Sequence, residues 1–202
     1  METTRKRTVN PRGQGAELRQ EILDAAARLL TAAVPGGGVT LRAIAREAGI
    51  AAPSIYPHFA DRDAILDAVV GRAFEQLGRA AEAAGAGAES GAAQVRAICH
   101  AYLDFARENP GQYRVLFERT PDNVSGRTYP DGIAAFDVLV RGIGRSVAEG
   151  SSTSDDPVRD GQALWAALHG LATLLSAAPA FPWRPTAELV DRYLTAITEL
   201  RL

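Results

Sequence analysis

The residues of this 202-residue chain that could do metal or nucleophilic chemistry are few and poorly spaced for it. The three histidines stand at 58, 100 and 169, scattered rather than set at metal-ligand spacing. Cys99, the single cysteine, can build neither a disulfide framework nor a zinc site. Sitting among Val95, Ile98 and Tyr102, it reads as a small buried hydrophobe rather than a redox sensor. The acidic pair Asp155–Asp156 falls in a Ser-rich stretch, not on a helix face that could hold a metal. No nucleophile motif and no phosphate-cradling loop is present. Neither a catalytic residue, a metal nor a cofactor is therefore expected, and an all-α enzyme is the weakest reading of the chain.

Binding chemistry is better represented. Residues 41–59 read LRAIAREAGIAAPSIYPHF, the pattern of a helix-turn-helix. Ala45 is small enough for two helices to cross. Gly49 suits a tight turn that needs a positive φ. Ile44, Ala48, Ile50 and Ile55 are apolar where the motif must face the helix behind it. The second helix is very short and exposes Ala52, Ser54, Tyr56 and His58. In such a motif that helix enters the major groove of double-stranded DNA.

Positioning these side chains falls to helices throughout. Alanine is abundant and β-branched runs are scarce, a composition that favours helix. Apolar residues at helical spacing (Leu18, Ile22, Leu23, Ala26, Leu29, Leu30) predict a first helix over 16–33, stopped by Pro35 and the glycines at 36, 37 and 38. Thr40 can cap a helix over 41–48, and a short one follows over 52–57. Asp61 can cap a long helix reaching about residue 84. Periodicity resumes after a Gly/Ala/Ser-rich segment, 85–91, and runs to about Asn109. Pro110 opens a further helix, residues 120–131 read as loop, and helices over 133–148, 157–177 and 186–200 complete the chain. The expectation is an all-α protein of about nine helices, with a disordered basic arm over 1–13, a DNA-binding domain over 14–60 and a helical body over 61–202. The arm, with Arg5, Lys6, Arg7 and Arg12, either touches DNA or is merely solvated.

Net charge is −2, but residues 1–62 hold nine basic against six acidic residues, and the remainder is acidic. A basic head on an acidic body suggests that only the head meets an anionic partner. The first 20 residues are polar, and no apolar run reaches the about 18 residues of a membrane span. A cytoplasmic protein with no membrane partner is expected.

At residues 41–63 the sequence resembles the tetracycline-repressor family. The resemblance rests on Ile44–Ala45, Ala48–Gly49–Ile50, Tyr56, His58–Phe59 and the Asp61–Arg62–Asp63 helix start, with Val39–Thr40 before them. Beyond the head it extends to architecture: six more helices, the last two long enough to pair with a second subunit. Asn109–Pro110–Gly111–Gln112–Tyr113 and Leu164–Trp165–Ala166–Ala167–Leu168–His169–Gly170 look like the marks of one C-terminal subgroup. The sequence departs from the family at two points. Ala51 stands where a capping Ser or Thr is usual, partly offset by Pro53 early in the helix. Arg62 stands where Lys is usual.

The resemblance implies roles. Thr40 and Arg42 contact phosphate, although Thr40 could be a plain helix cap. Tyr56 and His58 bond or flank phosphate, with helix packing as the alternative for each. Base readout falls to Ala52, Pro53 and Ser54, with Ala51 nearby, so specificity must lean on shape and dimer spacing. Arg62 opposes the dipole of the helix it opens, which hints at an anionic partner. A small-molecule effector of unknown identity is implied in the body, with Phe74, Tyr102, Phe105, Phe117, Phe136, Trp165 and His169 as candidate lining and ordinary core as the alternative for each. Trp165 and His169 share one helix face as an i, i+4 pair. The homodimer face is expected on the last two helices, with Gly161, Ala163, Ala166, Ala167 and Gly170 permitting close approach.

The function implied is a ligand-responsive repressor that binds a near-palindromic operator as a dimer, the helix from Asp61 acting as lever. The rival is a DNA-binding dimer without an effector.

Overall fold

The computed structural model describes residues 15–32, 39–117 and 130–201. The expected basic arm, the glycine-rich stop of the first helix and most of the loop before the sixth lie outside the described residues. Among those described, the fold is built of eight α-helices and one 3-10 turn, with a single isolated bridge, Ser152 to Leu200.

Of the described residues, 15–32, 39–70 and 114–117 form the first compact unit. It holds α1 (Gly15–Ala32), α2 (Leu41–Glu47), a 3-10 turn (Ala52–Ile55) and the start of α3 (Arg62–Gly85). Each helix start follows from local chemistry. Thr40 takes extended backbone and its hydroxyl accepts from the Ala43 amide at 3.2 Å. Asp61 Oδ1 accepts from the Ala64 amide at 2.8 Å. The turn after α2 passes through Gly49 at φ +68°, a conformation that costs glycine nothing. Ile22, Leu23 and Ala26 of α1, Ile44 and Ala45 of α2, Ile55, Phe59, Ile65 and Val69 form one apolar core.

The expected helix over 52–57 is instead a 3-10 turn of four residues. Ala51 supplies no side-chain cap, and Pro57 has no amide to extend the ladder. The Ser54 and His58 amides each bond three residues back, to Ala51 and Ile55.

The second unit comprises described residues 71–113 and 130–201. It holds the rest of α3, then α4 (Gly91–Glu108), the start of α5 (Pro110–Phe117), α6 (Pro130–Ala148), α7 (Pro157–Ala177) and α8 (Thr186–Ile197). The α4 helix packs against α6, α7 and α8. Its buried Val95, Ile98 and Leu103 meet a core that includes Leu139, Ile143, Leu164, Leu168, Val190 and Leu194. The approach of α4 to α6 is close: a Cβ on Gly91 would lie 2.5 Å from the Ser146 amide nitrogen.

Two expectations change here. The last helix ends at Ile197, not near residue 200: Glu199 turns left-handed at φ 51°, and the Leu200 amide returns to the Leu194 carbonyl at 3.3 Å. The Leu194 carbonyl thus accepts from the Thr198 and Leu200 amides together. Gly161, expected on a dimer face, is buried within its own chain, where a Cβ would meet Val140 and Phe136 of α6 at 3.3 and 3.4 Å. The two compact units meet within α3, after Val70.

Candidate DNA interface and a part-buried polar cluster

The helix-turn-helix sorts its side chains cleanly. Ile44, Ala45, Ile55 and Phe59 are buried, while Thr40, Arg42, Ala51, Pro53 and Tyr56 are exposed and Ala52, Ser54 and His58 are half-buried. Tyr56 is 60% exposed, the largest such value among the exposed large apolar residues. A phenol projecting from a short helix without a packing partner for most of its surface is available to an external oxygen. His58 is more enclosed, its Cε1 lying 3.8 Å from where a Cβ on Gly15 would stand. Behind this face, Arg19 stacks its guanidinium over Phe59 at 4.9 Å, and Arg28 bonds Glu47 at 2.7 Å, tying α1 to α2. The guanidinium of Arg114 donates to the Leu30 and Thr31 carbonyls that end α1.

Arg62 opens α3, where its charge opposes the helix dipole. The chain itself answers that charge: Nε and one terminal nitrogen of Arg62 both donate to Asp63 Oδ1, at 2.9 and 2.8 Å. Asp63 belongs to the Asp61–Arg62–Asp63 helix start that carries the family resemblance, where it has no role of its own.

In the second unit, three helices bring polar atoms together. Tyr113 Oη of α5 lies 2.9 Å from Tyr102 Oη of α4 and 2.7 Å from His169 Nδ1 of α7. Trp165 also flanks the Tyr102 hydroxyl, and Thr173 that of Tyr113. Burial pushes both phenols above their usual range and pulls His169 below the ordinary imidazole value. Where Tyr113 donates to Nδ1, neutral His169 carries its proton on Nε2.

Of the expected body residues, Tyr102, Trp165 and His169 meet in this cluster. Phe136 adjoins it, its ring 6.1 Å from that of Trp165. Phe105 is buried on α4, and Phe74 packs where a Cβ on Gly132 would touch its ring. Phe117 belongs to the first unit. Tyr113 and Thr173 had no place among the expected lining residues. Tyr113 did stand out within the Asn109–Tyr113 stretch, which is the one sequence signal that pointed to it. Among the described residues no group of His, Cys, Asp and Glu could hold a metal ion, and no helix is long and apolar enough to cross a membrane.

Comparison with known proteins agrees with this architecture. Residues 22–69 match the model for bacterial regulatory proteins of the tetR family, and residues 95–197 match the tetracyclin repressor-like C-terminal domain. The nucleoid occlusion factor SlmA of Marinomonas sp. (strain MWYL1) is 28% identical over 110 residues, 54% of each chain, so the match spans about half the length of that relative. A solved protein of unknown function from Rhodococcus sp. RHA1 superposes with a TM-score of 0.75 at 29% identity, covering 94% of this chain and 100% of that one. A TetR family transcription regulator from Marinobacter aquaeolei VT8 shares the fold, with a TM-score of 0.71 at 15% identity over 94% of this chain and 98% of that one. With both domains matched in chain order and the helix-turn-helix exposed as DNA binding requires, the chain belongs to the tetracycline-repressor (TetR) family of DNA-binding transcription regulators.

Proposed function

We propose that the protein is a homodimeric repressor that binds a near-palindromic operator and is released by a small molecule. The observation that carries the DNA-binding face is the exposure of Thr40, Arg42, Pro53 and Tyr56 on a motif whose opposite side is core. On this reading Thr40, Arg42, Tyr56, His58 and Arg62 meet phosphate, and Ala51, Ala52, Pro53 and Ser54 meet base edges. Small side chains offer only methyl and hydroxyl contacts, so sequence preference rests heavily on DNA shape and half-site spacing.

Dimerisation is supported by α7. Val158, Trp165 and Leu174 are 49%, 40% and 51% exposed, while Leu164, Leu168 and Leu171 are buried. A helix apolar on both sides needs a second partner. Exposed Ala163 and Ala166, and Gly170, at which an added Cβ would meet nothing within 4 Å, leave room for close helix packing.

The effector reading places the ligand at Tyr102, Tyr113, Trp165 and His169, whose hydroxyl and ring N–H groups can exchange internal bonds for ligand bonds. One observation favours the rival reading, a dimer without effector: these groups already satisfy one another, as a filled core requires.

Selection of sites from a random duplex library, repeated at several salt concentrations, tests the proposal. A near-palindrome with half-sites about one helical turn apart, bound less tightly as salt rises, is expected. No enriched sequence from folded, dimeric protein would overturn it. A small-molecule screen against the selected duplex then separates the two readings of the body.

A further inference from the structure

Arg62 and Asp63 are consecutive residues in the first turn of α3, and consecutive helical side chains do not ordinarily face each other. Here the Arg62 side chain turns back, and two of its nitrogens donate to one oxygen, Asp63 Oδ1, at 2.9 and 2.8 Å. Two bonds to one atom fix both the position and the plane of the guanidinium. That matters for arginine, whose planar fork of donors is useful only in the right orientation. The neighbouring carboxylate, Asp61, does a different job: its Oδ1 accepts from the Ala64 amide as helix cap. The Arg62 and Asp63 side chains are 32% and 40% exposed, so the pair is less open to solvent than a free surface pair.

We propose that Asp63 is a positioning residue for DNA binding: it holds the Arg62 guanidinium in the orientation that a backbone phosphate takes up, so docking need not select it from many rotamers. The proposal rests on the reading of Arg62 as a phosphate contact. It makes a prediction opposite in sign to charge counting. An acidic side chain beside a polyanion repels it, and on charge alone its removal tightens binding. If Asp63 orders Arg62, its removal weakens binding, because the negative charge is already compensated by Arg62 and the loss of order outweighs the repulsion relieved.

The full-length chain and its selected duplex serve as the test, with affinity measured across salt concentrations for wild type, Arg62→Gln, Asp63→Ala, Asp63→Asn and the Arg62→Gln/Asp63→Ala double variant. Thermal unfolding of each variant controls for the fold. Arg62→Gln is expected to flatten the dependence of log K on log salt by about 1.8, one phosphate contact from each protomer of the dimer. Asp63→Ala is expected to weaken binding about 3-fold, the size of a part-exposed ion-pair effect. Asp63→Asn, which keeps an acceptor oxygen, falls between Asp63→Ala and wild type. In the Arg62→Gln background, Asp63→Ala is expected to have no further effect. The Arg62 Nε–H is expected to exchange with solvent faster in Asp63→Ala than in wild type.

Tighter binding by Asp63→Ala and Asp63→Asn alike overturns the proposal in favour of simple repulsion. An equal loss in the presence and absence of Arg62 also overturns it, by showing that Asp63 acts through something other than Arg62. An unchanged salt slope in Arg62→Gln, with the duplex still bound by wild type, removes the phosphate role of Arg62 and the positioning role of Asp63 together. That result differs from one in which Arg62→Gln flattens the slope and Asp63→Ala changes nothing, where only the positioning role fails.

Discussion

Tyr113 Oη stands 2.7 Å from His169 Nδ1, with the two rings stacked at 5.7 Å between centroids, so a short helix and the long α7 are joined by one neutral hydrogen bond under an aromatic overlap. Tyr113→Phe keeps the ring and deletes the donor. The imidazole nitrogen loses its nearest partner in a part-buried setting, with the Tyr102 hydroxyl, 3.5 Å away, left to replace it, and a hydrogen bond lost in this way costs about 1 kcal/mol. Urea unfolding should show a lower midpoint with an unchanged slope. A midpoint equal to that of wild type would mean the cluster is wet enough for water to replace the hydroxyl.

The same histidine gives stability a pH dependence. Burial lowers its folded-state value below the ordinary 6.5, so the unfolded chain binds the proton more readily. Its contribution to stability is therefore complete above about pH 6.5 and is lost as pH falls through the folded-state value. His169→Gln should destabilise the protein more at pH 7 than at pH 5, as read by urea midpoints across that range. A gap that stays constant with pH would show that His169 is not held neutral.

Gly91 admits no side chain. The Cβ of an alanine there would lie 2.5 Å from the Ser146 amide nitrogen and 2.8 Å from its Cα, both backbone atoms that cannot swing aside. Gly91→Ala is expected to cost about 3 kcal/mol, the upper end of overpacking. Gly144, on the same α6 helix as Ser146, meets nothing within 4 Å, and Gly144→Ala should stabilise by about 0.8 kcal/mol through helix propensity. Thermal melts of the pair, shifted in opposite directions, check both.

Leu174 tests the dimer face. A charge on an apolar residue that a partner must cover disfavours association, whereas at a free surface it changes stability by about 0.5 kcal/mol or less. Leu174→Glu should give a monomer by sedimentation and lose operator binding, with its helical signal intact. A dimeric Leu174→Glu that binds DNA normally would place the interface elsewhere.

What could be read from residue types alone was local. Thr40 and Asp61 cap the helices assigned to them, and Gly49 takes the left-handed turn, because each outcome depends on atoms within a few residues. The 3-10 form of Ala52–Ile55 was missed because the spacing of apolar side chains does not distinguish two short helical ladders; the absent cap and Pro57 do. The end of α8 was missed because a non-glycine residue, Glu199, takes the left-handed turn there, which its residue type does not announce. Gly161 shows the limit of a small-residue pattern: it marks a close approach without saying whether the approaching helix belongs to the same chain. Tyr113 reaches His169 from another helix, a matter of helix placement that no spacing along the chain encodes, whereas Thr173 stands one turn beyond His169 on α7, a spacing the sequence does carry.

Cys99 is fully enclosed in α4, and burial pushes its thiol up to about 12. At neutral pH it is therefore neither ionised nor reachable. A maleimide or spin-label reagent added to the wild-type protein should find no target, so a cysteine introduced on the exposed face of the helix-turn-helix becomes the sole labelling handle without any prior cysteine removal. Distances between probes in an assembled pair, with and without DNA, can then be measured on an otherwise native chain.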